Sequence, residues 1–145
     1  MKEFITNKIL MVRPIAFGYN EETGKDNLYQ IKENNSADAI EKSAEKEFDA
    51  FVEKLRGATI DVIVLQDTLT PHTPDSIFPN NWFSTHSNNT LILYPMYAEN
   101  RRLERTDKIL EFVKDRENLK IVDFTENVCF ASELIMFCHL NLKQN

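Results

Sequence analysis

Apolar residues fall along the chain in two kinds of run, short unbroken ones and one long series at helical spacing. ILMV at 9–12 is closed by Arg13 and Pro14, which predicts a buried strand feeding a turn. From 17 to 35 the residues are mostly polar, so a loop is expected, with Asn34, Asn35 and Ser36 as candidate N-caps. Ile40, Ala44, Phe48, Phe51, Val52 and Leu55 then share one face of a helix predicted to run to about Arg56, with Gly57 as its stop. TIDVIVLQ at 59–66 is β-branched and of strand length, and its apolar stretch from Val62 to Leu65 is expected to be covered on both faces.

A polar loop leads into PDSIFPNNWFST at 74–85, an alternating segment. With a turn at Ser87, Asn88 and Asn89 and the apolar TLILYP after it, the pattern predicts a hairpin. A second amphipathic helix is expected over 101–116, with Leu103, Thr106, Ile109, Leu110 and Val113 on one side, then a buried strand in LKIVDF at 119–124. FVEKLRGATIDVIVLQ and ILEFVKDRENLKIVDF show the same order of helix, turn and strand, a faint repeat at about 60 residues. The fold class is α/β. Repeated propeller-like units and a plain α/β sandwich both give this alternation.

Composition narrows the function classes. The 145 residues carry 17 Lys and Arg against 23 Asp and Glu, with no basic cluster suited to a nucleic-acid backbone. Neither the polar-interrupted start, MKEFITNKILMV, nor any later run has the length of a signal or membrane segment, so a cytoplasmic protein with no membrane partner is expected. Cys129 and Cys138 form no disulfide framework and stand at no zinc spacing; no metal site and no cofactor are implied. His72 and His86 read as turn or surface histidines, and Trp82 and Phe83 as core or channel wall.

Asp75, Asn80 and Asn81 stand out, because polar groups set within an apolar segment are costly to bury unless something bonds to them. ILMVRPIAFGYN, DNLYQ, PDSIFPNNWFSTH, LILYPMYAENRRLER and KIVDFTE together resemble the amidinotransferase and arginine deiminase superfamily. The nearest likeness is to its citrulline-utilisation hydrolase branch, related to dimethylarginine dimethylaminohydrolases. The resemblance spans Ile9 to about Glu126 and implies a pentein, a five-bladed ring of αβ units around a substrate channel, of which this chain would supply roughly two ββαβ units. It also implies a cysteine nucleophile, a histidine acid/base and polar groups that grip an arginine-like substrate, since a delocalised guanidinium must be held in plane while a thiolate attacks.

Matched residue by residue, the resemblance makes Asp75 the contact for a substrate α-amino group and puts Asn80 and Asn81 where relatives carry an acidic pair against the guanidinium. An amide offers donors and an acceptor, which suits a neutral ureido group. Bonding to backbone at a strand irregularity is the plainer role for these asparagines. Arg101 or its neighbour Arg102 matches the arginine for the substrate carboxylate, and both also suit a charged helix start.

Past Glu126 the family motifs bearing the catalytic Glu, His and Cys are not matched by NVCFASELIMFCHLNLKQN, and no catalytic residue is assigned. Cys138 and His139 are adjacent and point to opposite faces of an extended strand. The expectation is therefore residues 1–126 as the amino-terminal part of a pentein domain and 127–145 as a divergent tail, from a truncated or frameshifted reading frame or a short paralogue. Two functions stay open. One is part of a hydrolase of ureido or guanidino C–N bonds in citrulline- or arginine-like substrates, inactive alone; the other is a non-catalytic amino-acid-binding or assembly module. An uncovered strand edge after LKIVDF makes a homodimer the expected form of association.

Overall fold

The computed structural model describes residues 7–25, 27, 29–32, 34–86, 88–106, 111 and 119–126. The chain is mixed α/β and divides into two compact units, residues 1–79 and 80–145.

In the first unit, strand β1 (Lys8–Arg13) and strand β2 (Asp61–Gln66) pair in parallel across helix α1 (Ala37–Gly57), a βαβ arrangement. The register sets Ile9 opposite Val62 and Met11 opposite Val64, so period-two alternation turns these four residues to one face. Phe48 and Val52 of α1 form the buried core with Val62, and Ile9, Met11, Leu55, Ile60, Val64 and Ile77 pack on it. Phe51, three positions from Phe48 and so rotated about 60° around the helix, lies at the rim and is 52% exposed. Of the β2 run expected to be covered on both faces, Val62 is buried and Ile63, Val64 and Leu65 are half-buried.

Arg13 has the parity of Ile9 and Met11 and ties β1 to the helix. Its Nε and Nη2 donate to the two oxygens of Asp49 at 2.8 and 2.9 Å, and Nη1 donates to Glu45 at 2.9 Å. Glu45 and Asp49 are one helical turn apart, which lets one guanidinium serve both. The pairing lowers the Asp49 carboxyl below its ordinary value, through the Arg13 hydrogen bond first and against a smaller effect of burial.

Ser36 caps α1, its Oγ accepting the Ala39 N–H at 3.3 Å. The other end differs from expectation, because Gly57 stays helical and Thr59 takes the left-handed conformation at φ 63°. The N–H of Ile60 donates to the Leu55 carbonyl and that of Thr59 to the Arg56 carbonyl, at 3.1 and 3.0 Å, a Schellman closure. Leu55 and Ile60 both pack on the core, and that apolar contact fixes the stop two residues past the glycine.

In the second unit, β3 (Phe83–His86) and β4 (Thr90–Leu93) form the expected hairpin, and β5 (Lys120–Asp123) joins β4 in parallel, giving the order β3-β4-β5. Asn89, at φ 55°, closes the hairpin loop in the left-handed region that asparagine tolerates. Trp82, Leu91 and Leu93 are buried, and Trp82 lies against Phe83 with ring centroids 4.6 Å apart.

Three sequence expectations are corrected. The alternating stretch 74–85 is strand only from Phe83; before it come turns at 74–77 and a 3-10 turn, Pro79–Asn81, since Pro74 and Pro79 can donate no ladder bond. Helix α2 spans Glu99–Arg102 and gives way to a turn at Leu103 and Glu104; of the predicted helix beyond it only Glu111 is described, and it is helical. LKIVDF is not buried. Ile121 and Phe124 are 43% and 41% exposed, and among the described residues β5 bonds to β4 alone. Cys129, Cys138 and the segment 127–145 lie outside the described residues.

Candidate functional site

Asp75 sits in the turn after β2 and is buried. The turn is held by its own backbone, Ser76 N–H to the Thr73 carbonyl and Phe78 N–H to the Asp75 carbonyl, and by the Ser76 hydroxyl donating to Asp67 at 2.6 Å. Asp67 directly follows β2, so the strand positions Asp75 through Ser76.

The Asp75 carboxylate is gripped by the loop that follows β1. Asn20 Nδ2 and Thr23 Oγ1 donate to Oδ2 at 2.7 and 2.9 Å, and Gln30 Nε2 reaches Oδ1 at 3.4 Å. Asn20 is itself buried; its Oδ1 accepts the Glu22 N–H and its own N–H donates to Gln30 Oε1. None of the three donor side chains brings a charge, so none neutralises the carboxylate. Composition does not single out Asn20, Thr23 and Gln30 within a polar loop. Their one sequence signal is position, since Asn20 and Gln30 close the segments FGYN and DNLYQ.

Asn80 and Asn81 lie on the 3-10 turn of the second unit, and both are exposed. Arg101 is nearly enclosed, with a side chain 11% exposed, and pairs in bidentate fashion with Glu104, itself 1% exposed: Nε to Oε1 at 2.8 Å and Nη2 to Oε2 at 3.1 Å. Arg102 instead donates to the Met96 and Tyr97 carbonyls, each at 2.8 Å. Sequence reasoning missed Arg105, which donates from Nη2 to the Tyr94 carbonyl while its Nε is buried without a partner among the described residues. Burial lowers the Arg105 pKa from its ordinary value; Asp123 opposes this and Arg102 adds to it. Three arginines thus hold the segment 94–104, Arg101 through the Glu104 carboxylate and Arg102 and Arg105 through backbone carbonyls. Asp75 belongs to the first compact unit, and Asn80, Asn81 and Arg101 to the second.

His72 and His86 are exposed, as expected; His86 Nε2 shares a hydrogen bond with Ser84 Oγ at 2.9 Å, and Ser84 shares another with the Tyr94 hydroxyl. Among the described residues no group of His, Cys, Asp and Glu could hold a metal ion, and no helix is long and apolar enough to cross a membrane.

No curated protein and no solved structure matches the chain. The family model described as N,N dimethylarginine dimethylhydrolase, eukaryotic, matches residues 13–134. That range takes in Asp75 and its loop, Asn80, Asn81, the arginine segment and the first residues of the segment 127–145. A match over most of the sequence agrees with the superfamily likeness carried by its motifs, and on it this chain is a member of the dimethylarginine dimethylhydrolase family.

Proposed function

We propose that the chain binds an arginine-derived amino acid for cleavage of a terminal C–N bond, with Asp75 meeting the α-amino group, Asn80 and Asn81 the ureido or guanidino head, and Arg101 the carboxylate. The observation that supports this best is Asp75 itself. The residue singled out by the motif is a buried carboxylate held by three side chains of one loop, an oriented acceptor suited to an ammonium. Family membership supports a hydrolase acting on methylated arginine guanidino groups. The two asparagines favour a neutral ureido head such as that of citrulline, whose N–H and C=O edges an amide can both meet.

The finer architecture follows the same reading. The paired β1-α1-β2 and β3-β4-β5 elements are read as roughly two units of a five-bladed pentein, with residues 1–126 as its amino-terminal part and a cytoplasmic setting; the divergent tail expected over 127–145 is narrowed by the family match, which runs to residue 134. No Cys and His of these 145 residues are matched to the catalytic pair, so the 145 residues are inactive alone.

Titration calorimetry with citrulline, dimethylarginine and arginine tests the binding. Citrulline is expected to bind most tightly and Asp75→Asn to remove most of the affinity. No affinity for any of the three overturns the proposal. Binding without release of ammonia or dimethylamine is expected, and favours the amino-acid-binding module as the role of these residues by themselves; turnover overturns the inactivity.

A further inference from the structure

Ser84, His86 and Tyr94 form a hydrogen-bonded cluster within the second unit, and the proposed amino-acid site uses none of them. Alternation along β3 sets Ser84 and His86 on one face, and the ladder puts Ile92 of β4 opposite Ser84 and Val122 of β5 opposite Ile92. Tyr94 extends β4 on that face, its N–H donating to the Trp82 carbonyl at 2.8 Å and its own carbonyl held by Arg105. Ser84 Oγ lies 2.9 Å from His86 Nε2 and 2.8 Å from the Tyr94 hydroxyl. Ser84 and Tyr94 are half-buried and His86 is exposed, so the cluster opens to solvent.

A serine hydroxyl has one proton to donate and two lone pairs to accept with. When His86 Nε2 carries no proton, Ser84 donates to it, and the Tyr94 hydroxyl then donates to Ser84. That is a nucleophile set against its base, with a second donor beside it. We propose that Ser84 is a nucleophile toward esters of short aliphatic acids, with His86 as its general base and Tyr94 as the donor to the oxyanion. Ser84 Oγ bonds to the ester carbonyl carbon as its proton passes to Nε2. The carbonyl oxygen becomes an oxyanion on the carbon that Oγ attacks, within reach of the Tyr94 hydroxyl, which turns to it from Oγ. The C–O bond to the alcohol then breaks, and the alcohol leaves with the Nε2 proton. Water attacks the acyl-serine and gives a proton to Nε2; the C–Oγ bond breaks, Oγ takes that proton, and the acid is released. Ile92 and Val122, half-buried and in line with Ser84 across strands about 4.8 Å apart, give the acyl chain an apolar floor. The proposal does not rest on the reading of Asp75.

The test exposes the full chain to p-nitrophenyl butyrate and, separately, to an alkyl fluorophosphonate whose adducts are located by peptide mass. The fluorophosphonate is expected to label Ser84 about tenfold faster or more than the exposed Ser36 and Ser43, a comparison made on the native chain that depends on no variant's folding. Nitrophenol release should continue past one equivalent, and Ser84→Ala should lower it about tenfold or more. With melting temperatures unchanged, His86→Gln should slow labelling of Ser84 about tenfold or more and Tyr94→Phe severalfold. Thr85→Ala, on the opposite face of β3, should alter neither labelling nor release. Labelling of Ser84 no faster than that of Ser36 and Ser43, or release unchanged in Ser84→Ala, overturns the proposal. Release that stops at one equivalent overturns the hydrolysis, and undiminished labelling in His86→Gln or Tyr94→Phe overturns the role given to that residue.

Discussion

Thr59 pays a conformational cost that a glycine would not. Its left-handed φ of 63° crowds Cβ against the backbone, and a β-branched residue suits that region least. Its hydroxyl donates to the Ala58 carbonyl at 2.6 Å, but the residue is exposed and water can replace that bond. Thr59→Gly should therefore stabilise the chain by about 1 kcal/mol, net of the extra freedom glycine gains when unfolded. A higher urea midpoint at unchanged slope checks it; an equal or lower midpoint shows that the Leu55 and Ile60 contact alone fixes the helix end. Glu104 poses the opposite case. Its carboxylate is nearly fully enclosed and meets Arg101 through two bonds. Removing one partner of such a pair leaves a buried charge uncompensated, so Glu104→Leu should cost about 3–5 kcal/mol, while the double change with Arg101→Met should recover much of it. Urea unfolding of the two single variants and the double variant measures the coupling. Additive losses would mean that the pair is not held as a unit.

At the scale of elements, the Arg13 clamp makes the docking of α1 sensitive to acid. The folded Asp49 titrates below its ordinary 3.8, so as pH falls the unfolded chain takes up this proton first. The stabilisation from the pair is complete above the unfolded value and is lost as pH falls through the folded one. Asp49→Asn should flatten the fall in melting temperature between neutral pH and about pH 3, and an identical fall in the variant would place the acid sensitivity elsewhere. What the sequence disclosed about the elements follows from which features have local causes. Helix α1 was legible because Phe48, Val52 and Leu55 recur at its period and Ser36 caps it, and β1 and β2 because their apolar runs are short and bounded. The exposure of β5 was not, since an apolar run reads alike whether or not its faces are covered. The Asp75 grip was half legible. The motif marks the aspartate, but whether a polar loop residue is solvated or turned inward depends on contacts 45 to 55 positions away, as for Gln30 and Asn20. Arg101 and Glu104 show the i,i+3 spacing that usually marks an exposed helical pair; only the structure shows the pair enclosed.

On the scale of the whole molecule, both units contain a parallel pair, β1 with β2 and β4 with β5, while most of the second helix of the faint helix-turn-strand repeat lies outside the described residues. Parallel strands are ordinarily covered on both faces and flanked by further strands. Among the described residues no strand pairs with the outer edge of β5, and Ile121 and Phe124 stand there with large exposed surfaces. Lys120 and Asp123 are also exposed on this strand, charges of the kind that blunt edge pairing, but they lie at its two ends and leave Ile121 and Val122 between them. A net charge of −6 opposes close approach of two copies only weakly once salt screens it over about 10 Å. The expected outcome is association of the 145-residue chain through this edge, with a second copy as the partner. Light scattering should give an apparent mass that rises with concentration, and Ile121→Lys, which sets a charge in the middle of the edge, should hold the mass at that of one chain. The substitution sits on a half-exposed surface position, so its melting temperature should stay close to that of the parent, which separates lost association from lost folding. A parent chain that scatters as a single copy at every concentration would show that this edge is covered by the chain itself.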